Sequence, residues 1–101
     1  MRELIEFDEL VSLFEEHMQQ SLNPRYDGYC GMLVVDCAEN ALSAIRKAAS
    51  RAGKNVGWKP RTAYSRDDFL FIVWDDRKPP ENIARKRAID IANSVWNAES
   101  R

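Results

Sequence analysis

The hexapeptide FLFIVW at residues 69–74 restricts the fold more than any other part of the chain, because all six of its side chains are apolar. It lies between two polar segments, SRDD before it and DDRKPPEN after it. Successive side chains of a strand point to opposite faces of a sheet, so a run that is apolar throughout predicts a strand covered on both faces. We therefore expect a sheet with material packed against each side of this strand.

The preceding segment, residues 56–64, predicts the partner strand because its side chains alternate with period two. One face would carry Val56, Trp58, Thr62 and Tyr64, and the other Lys59, Arg61 and Ala63. Pro60 has no amide hydrogen to donate, which favours a strand at the edge of the sheet. Together the two runs predict an antiparallel β-hairpin at about 56–64 and 69–75.

Two amphipathic helices are predicted at the ends of the chain. Residues 3–20 carry Phe7, Leu10, Val11, Phe14 and Met18 at spacings of three and four. A C-terminal helix should begin near Pro79 and Pro80 and run to about residue 98. Its apolar stripe, which we expect to be buried against the hairpin, consists of Ala84, Ala88, Ile91, Ala92 and Val95.

The middle of the chain permits two interpretations. Apolar residues from Cys30 to Ala52 recur with helical spacing, which favours one long helix. The segment GMLVVD at residues 31–36 also fits a short third strand. Under both interpretations residues 38–52 are helical, with an alanine-rich face suited to close packing.

These elements predict a single small α+β domain spanning residues 1–101. It would contain two N-terminal helices, the hairpin and the C-terminal helix, with the segment at 31–36 as an alternative third strand. The 45% hydrophobic share is enough for one modest core. No apolar run approaches the ~20 residues of a membrane span, and we expect no membrane partner. Cys30 and Cys37 are too far apart to pair unless the segment folds back, and two free thiols fit the reducing cytoplasm.

Charge is distributed unevenly along the chain. Residues 1–45 have a net charge of −7 and residues 46–101 of +6, and the 27 residues from Asn40 to Arg66 contain no acid. The basic side chains of this stretch are Arg46, Lys47, Arg51, Lys54, Lys59, Arg61 and Arg66. We expect them to form one positive surface across the helix and the hairpin, able to contact phosphates or an acidic protein surface.

Two functional hypotheses follow from this asymmetry. The first is a small non-enzymatic accessory or regulatory module that contacts nucleic-acid backbone through the basic helix–hairpin surface, with salt-dependent and sequence-independent binding. The second is a protein-interaction adaptor or inhibitor that docks through its acidic N-terminal helix or the hairpin edge. Head-to-tail association into a homo-oligomer is a further alternative. Trp58 and Tyr64 lie among the basic residues, but their alternation with Lys59 and Arg61 favours core positions over stacking on bases.

We expect no catalysis, metal or cofactor. His17 has neither an orienting partner nor a nucleophile at useful spacing, and the chain lacks phosphate-loop and nucleophile-elbow motifs. Asp36, Asp75 and Asp76 would follow strands, where carboxylates can hold Mg²⁺. If residues 31–36 form a strand, however, Asp36 and Asp75 fall at opposite ends of the sheet, so turn and capping roles are favoured.

Overall fold

The computed structural model describes residues 6–99, which form three α-helices and one three-stranded antiparallel sheet. In chain order the elements are α1 (Phe7–Gln20), β1 (Met32–Asp36), α2 (Leu42–Asn55), β2 (Pro60–Ser65), β3 (Leu70–Asp75) and α3 (Glu81–Glu99). Short 3₁₀ helices at Pro24–Tyr26 and Glu39–Ala41 precede β1 and α2. This confirms the predicted α+β class. None of the helices described is both long and apolar enough to cross a membrane.

The all-apolar run forms the central strand of the sheet. β3 pairs antiparallel with β1 on one side and with β2 on the other. Pro60 opens β2, which lies at an edge as predicted. Asp36 lies opposite Leu70 at one end of β3, whereas Asp75 ends the strand at the other. The two carboxylates are thus at opposite ends of the sheet.

The preference for one long helix through residues 30–52 was wrong, because residues 32–36 form β1. The apolar residues of this segment continue the helical spacing of α2, so their periodicity indicated a helix where the chain forms a strand. As a strand, they pair with the otherwise free edge of β3 and satisfy backbone hydrogen bonds on both strands.

The predicted start of the hairpin at residue 56 was also too early. Val56 and Gly57 end α2, where their amides donate to the carbonyls of Ala52 and Lys54. Gly57 has φ +87°, a left-handed conformation that glycine adopts without steric cost. β2 begins only after this turn, at Pro60.

The hydrophobic core lies between the sheet and the pair α1 and α2. The apolar stripe of α1 packs against the small residues of α2, and both cover one face of β3. The core members are Val11, Phe14, Met18, Cys37, Ala48, Ala49, Ala52, Trp58, Phe71 and Val73. Alanines on α2 let the helix approach closely, and Phe14 meets Phe71 edge to face with ring centroids 6.5 Å apart.

The opposite face of the sheet, which we call the open face, has no helix packed on it. By alternation and register its apolar residues are Met32, Val34, Ala63, Leu70, Ile72 and Trp74, and the polar residues Asp36, Arg61 and Ser65 lie on the same face at its ends and edge. Met32 and Val34 are 57% and 47% exposed, and the other four are half-buried. The expectation that β3 is covered on both faces therefore holds for one face only within a single chain.

The C-terminal helix is in a different place from the one predicted. Instead of packing on the hairpin, α3 has its backbone next to that of a single described helix or strand, the 3₁₀ helix Pro24–Tyr26. Asp90 accepts hydrogen bonds from Arg25 Nε at 2.9 Å and from the Tyr26 hydroxyl at 2.6 Å. Both hydrogen bonds lower the pKa of Asp90, and the bond from Tyr26 has the larger effect. Ile83 is buried, but the apolar stripe predicted to be buried is exposed, with Ile91 and Val95 each 53% exposed.

Candidate nucleic-acid interface

Four of the seven predicted contact residues lie together on α2. Arg46, Lys47, Arg51 and Lys54, which we call the basic α2 face, are all exposed and line one shallow cleft of about 360 Å³. Lys47, Arg51 and Lys54 are spaced at i, i+4 and i+7, so they follow one side of the helix. Because α2 contains no acidic residue, its positive charge is not neutralised along the helix itself.

The basic α2 face is positioned by uncharged neighbours, which do not neutralise its positive charge. Arg46 Nε donates to the Thr62 hydroxyl at 3.2 Å, which ties the helix to β2. The Arg51 guanidinium lies 5.9 Å from the centre of the Phe7 ring, a cation–π contact. Among the side chains that the structure describes, those of residues 6–96, no carboxylate lies within ion-pair distance of these four basic side chains. Salt bridges among the described side chains therefore leave their charge unneutralised.

The three remaining basic residues are placed apart from this face. Arg61 lies on the open-face side of β2, away from α2, and its Nε is 3.1 Å from Asp76. Arg66, in the hairpin turn, is 3.1 Å from Glu39. Lys59 is exposed just before β2, and its amide donates to Asp75. The structure therefore brings Arg46, Lys47, Arg51 and Lys54 together, and it pairs two of the other three with acids.

The two aromatic residues near the basic stretch are held by the protein itself. Trp58 is 6% exposed and belongs to the core, and a Cβ placed on Gly31 would overlap its ring. A buried ring offers no face to a base. Tyr64 is half-buried, and its hydroxyl donates to the Cys37 carbonyl at 2.7 Å. Burial raises the pKa of Tyr64, which keeps this donor protonated.

An ion pair between a buried carboxylate, Asp75, and a half-buried arginine, Arg77, lies at the end of the sheet opposite Asp36, and the sequence analysis did not single out Arg77. The Asp75 side chain is fully buried and accepts from Arg77 Nε at 2.7 Å and from the amides of Lys59 and Arg77. Arg77 also donates to the Gly28 carbonyl and lies 4.5 Å from the centre of the Tyr29 ring. Asp75 thus accepts hydrogen bonds from donors of the protein itself, and these bonds account for a carboxylate at this strand end.

The electrostatics of this pair follow from its contacts. Burial raises the pKa of Asp75, but the hydrogen bonds from Arg77 and from the two amides outweigh it, so the pKa of Asp75 lies below its usual value. The hydrogen bond to Asp75 raises the pKa of Arg77. Both groups are therefore charged at neutral pH. The i, i+2 spacing of acid and arginine after a strand was the signal available in the sequence.

Comparisons with protein-family models, curated proteins and solved structures found no match for this chain.

Proposed function

We propose that the protein contacts nucleic-acid backbone through the basic α2 face, as a small non-enzymatic accessory or regulatory module. The observation that carries this proposal is the presence of four exposed cations on one side of α2 with no carboxylate partner among the described residues. Clustered, unpaired Lys and Arg side chains attract phosphates and release condensed counterions when they bind. Solubility alone is served equally well by charges of mixed sign.

The dimensions of the face fit a short stretch of backbone. Lys47 and Lys54 are seven residues apart, which corresponds to ~10 Å along a helix. One strand of duplex DNA carries a phosphate every ~3.4 Å of its axis, so the face spans about three phosphates. Contacts to phosphate position a protein without reading the sequence. We therefore expect weak sequence preference.

Fluorescence anisotropy with labelled single-stranded and duplex DNA and RNA, over a series of salt concentrations, tests the proposal. Four phosphate contacts on duplex DNA give a slope of about −3.6 in log K against log salt, whereas contacts from all seven basic residues would give about −6. A slope near the smaller value would support a site confined to α2.

Two matched double variants separate the face from net charge. Lys47→Gln with Lys54→Gln removes two charges from the basic α2 face, and Arg61→Gln with Arg66→Gln removes two from the hairpin. We expect the first to reduce affinity about tenfold or more and the second to have a smaller effect, because Arg61 and Arg66 already pair with acids. Equal losses of affinity in the two double variants would show that binding depends only on net charge and not on the basic α2 face. No binding of the wild-type protein at low salt would refute the proposal.

A further inference from the structure

Two apolar surfaces of the chain have no partner within the described residues. One is the open face of the sheet, where Met32 is 57% and Val34 is 47% exposed. The other is the apolar stripe of α3, where Ile91 and Val95 are each 53% exposed. Extended apolar surfaces of this kind mark interaction sites on proteins. The fully apolar sequence of β3 also indicates a strand covered on both faces, and α1 and α2 cover only one.

The chain does not bring its own stripe onto its own open face. Asp90 anchors α3 to Arg25 and Tyr26, and Ile83 is buried on the same side of the helix. At 100° per residue, the stripe is centred roughly 120° around the helix from this anchored side. No Cα atom of α3 lies within 8 Å of a Cα atom of the three strands, so the backbone of the helix is not packed on the sheet. The molecule is accordingly elongated, with extents of 50 × 31 × 20 Å.

The open face and the flank of α3 nevertheless border one concave region. Met32 and Trp74 of the open face and Arg87 of α3 line a common cavity of about 480 Å³. A rod-shaped apolar partner placed on the open face would therefore also lie beside α3. A helix of the length of α3, 19 residues or ~28 Å, is long enough to cross the whole sheet.

The charges next to the two surfaces are complementary. Arg87 and Arg85 flank the N-terminal half of the α3 stripe, and the contact of Arg85 with Glu81 is exposed and weak. The open face ends in acids, with Asp36 at the end of β1 and Asp67 and Asp68 in the adjacent hairpin turn. A second α3 would thus place its basic half over the acidic end of the sheet, and its apolar stripe over the apolar part.

We infer that the protein forms a two-fold symmetric dimer, in which α3 of each copy packs its apolar stripe on the open face of the other copy. The occupant of the open face is a second copy because the same chain supplies both the receptor and a helix that matches it in polarity, charge and length. Such reciprocal contacts give a closed assembly.

The area available is sufficient for a stable dimer. Three strands of five or six residues present a face of ~250 Å², so each helix-on-sheet contact buries about 500 Å² counted on both partners. Two reciprocal contacts reach the range of about 1,000 Å² at which specific interfaces begin. The basic α2 face lies on the other side of the sheet, so nucleic-acid binding and dimerisation are independent and can fail separately.

Sedimentation velocity of the full chain, with light scattering for mass, tests this inference. We expect a species of twice the 11.7 kDa chain mass at micromolar concentration. Val34→Glu on the open face and Val95→Glu on α3 should each raise the dimer dissociation constant about tenfold or more, because a carboxylate would be buried without a partner. Leu13→Glu, at a site on α1 that is 42% exposed, is the matched control and should leave the dimer intact.

Both interface sites are about half exposed in the single chain, so the variants should keep the wild-type far-UV circular dichroism. A monomeric wild-type protein at 100 µM would overturn the inference. A loss of dimer in only one of the two interface variants would indicate a sheet-to-sheet or helix-to-helix contact and would also overturn it.

Photocrosslinking identifies the contact directly and does not depend on a disruptive variant. A benzoylphenylalanine placed at position 34 should form a covalent dimer whose crosslinked peptide comes from α3 of the second chain. A crosslink to β1 or to α1 of the second chain, or no covalent dimer, would contradict the arrangement.

Discussion

The covered face of the sheet and its open face are made from alternate residues of the same strands, yet they have different environments. Phe71 and Val73 are completely buried under α1 and α2, whereas Ile72 and Trp74, their neighbours in sequence, are only half-buried. Side-chain alternation determines which residues share a face. What covers that face depends on where the other elements end up, and α3 is held away from it by Asp90. An apolar strand sequence therefore predicts that both faces are buried, but it does not predict which element or molecule packs on each face.

The largest expected difference between the faces concerns adjacent residues of β3. Phe71→Ala should lower the free energy of unfolding by about 3–5 kcal/mol, because it leaves a cavity in the core. Ile72→Ala should cost a dilute, monomeric sample roughly 1 kcal/mol, since the side chain is half-buried. Urea denaturation at two protein concentrations measures both, and the cost of Ile72→Ala should rise with concentration if the open face is covered by a second copy. Equal costs at low concentration would show that the two faces are equally covered.

A second comparison uses the carboxylates at the two ends of the sheet. Asp75→Asn should cost about 2–3 kcal/mol, because the buried side chain loses its charge beside Arg77. Asp36 is exposed at the end of the open face, so Asp36→Asn should change the free energy of unfolding by less than ~0.5 kcal/mol. Thermal unfolding of both variants and of the wild type gives the ranking, and a similar cost for the two would remove the structural role assigned to Asp75.

The acid dependence of stability is a smaller effect of the same carboxylate. The pKa of Asp75 is lower in the folded state than its ordinary value of 3.8, so the unfolded chain binds the proton first as the pH falls. The stabilisation is complete above about pH 5 and is lost progressively as the pH falls through the ordinary value toward the folded-state pKa. Urea midpoints between pH 2 and 6 should fall less steeply with acid for Asp75→Asn than for the wild type. Parallel profiles would contradict this assignment.

Much of the fold followed from local patterns. The alternation of Trp58 with Lys59 placed the ring in the core, and Pro60 placed β2 at the edge of the sheet. Periodicity failed at residues 32–36, because a short apolar strand that leads into an amphipathic helix can continue its spacing. The position of α3 was not predictable, since it depends on Asp90 meeting Arg25 and Tyr26 more than sixty residues earlier.

The candidate site was predictable only in part. The acid-free sequence of α2 indicated that Arg46, Lys47, Arg51 and Lys54 would share an unneutralised surface. The pairing of Arg61 with Asp76 and of Arg66 with Glu39 depends on the ends of strands and turns meeting in space. A count of charges along the sequence does not reveal these ion pairs, because their members are far apart in the chain.

The arrangement of the strands also implies an order of events in folding. β2 and β3 are joined by a four-residue turn, whereas β1 reaches β3 only after the chain has closed a much longer loop, since Val34 lies opposite Ile72. Loop closure over a longer distance costs more entropy before any contact repays it. We expect the hairpin to form early and β1 to join it late, so that in pulse-labelled hydrogen exchange the β1 amides gain protection after those that link β2 to β3.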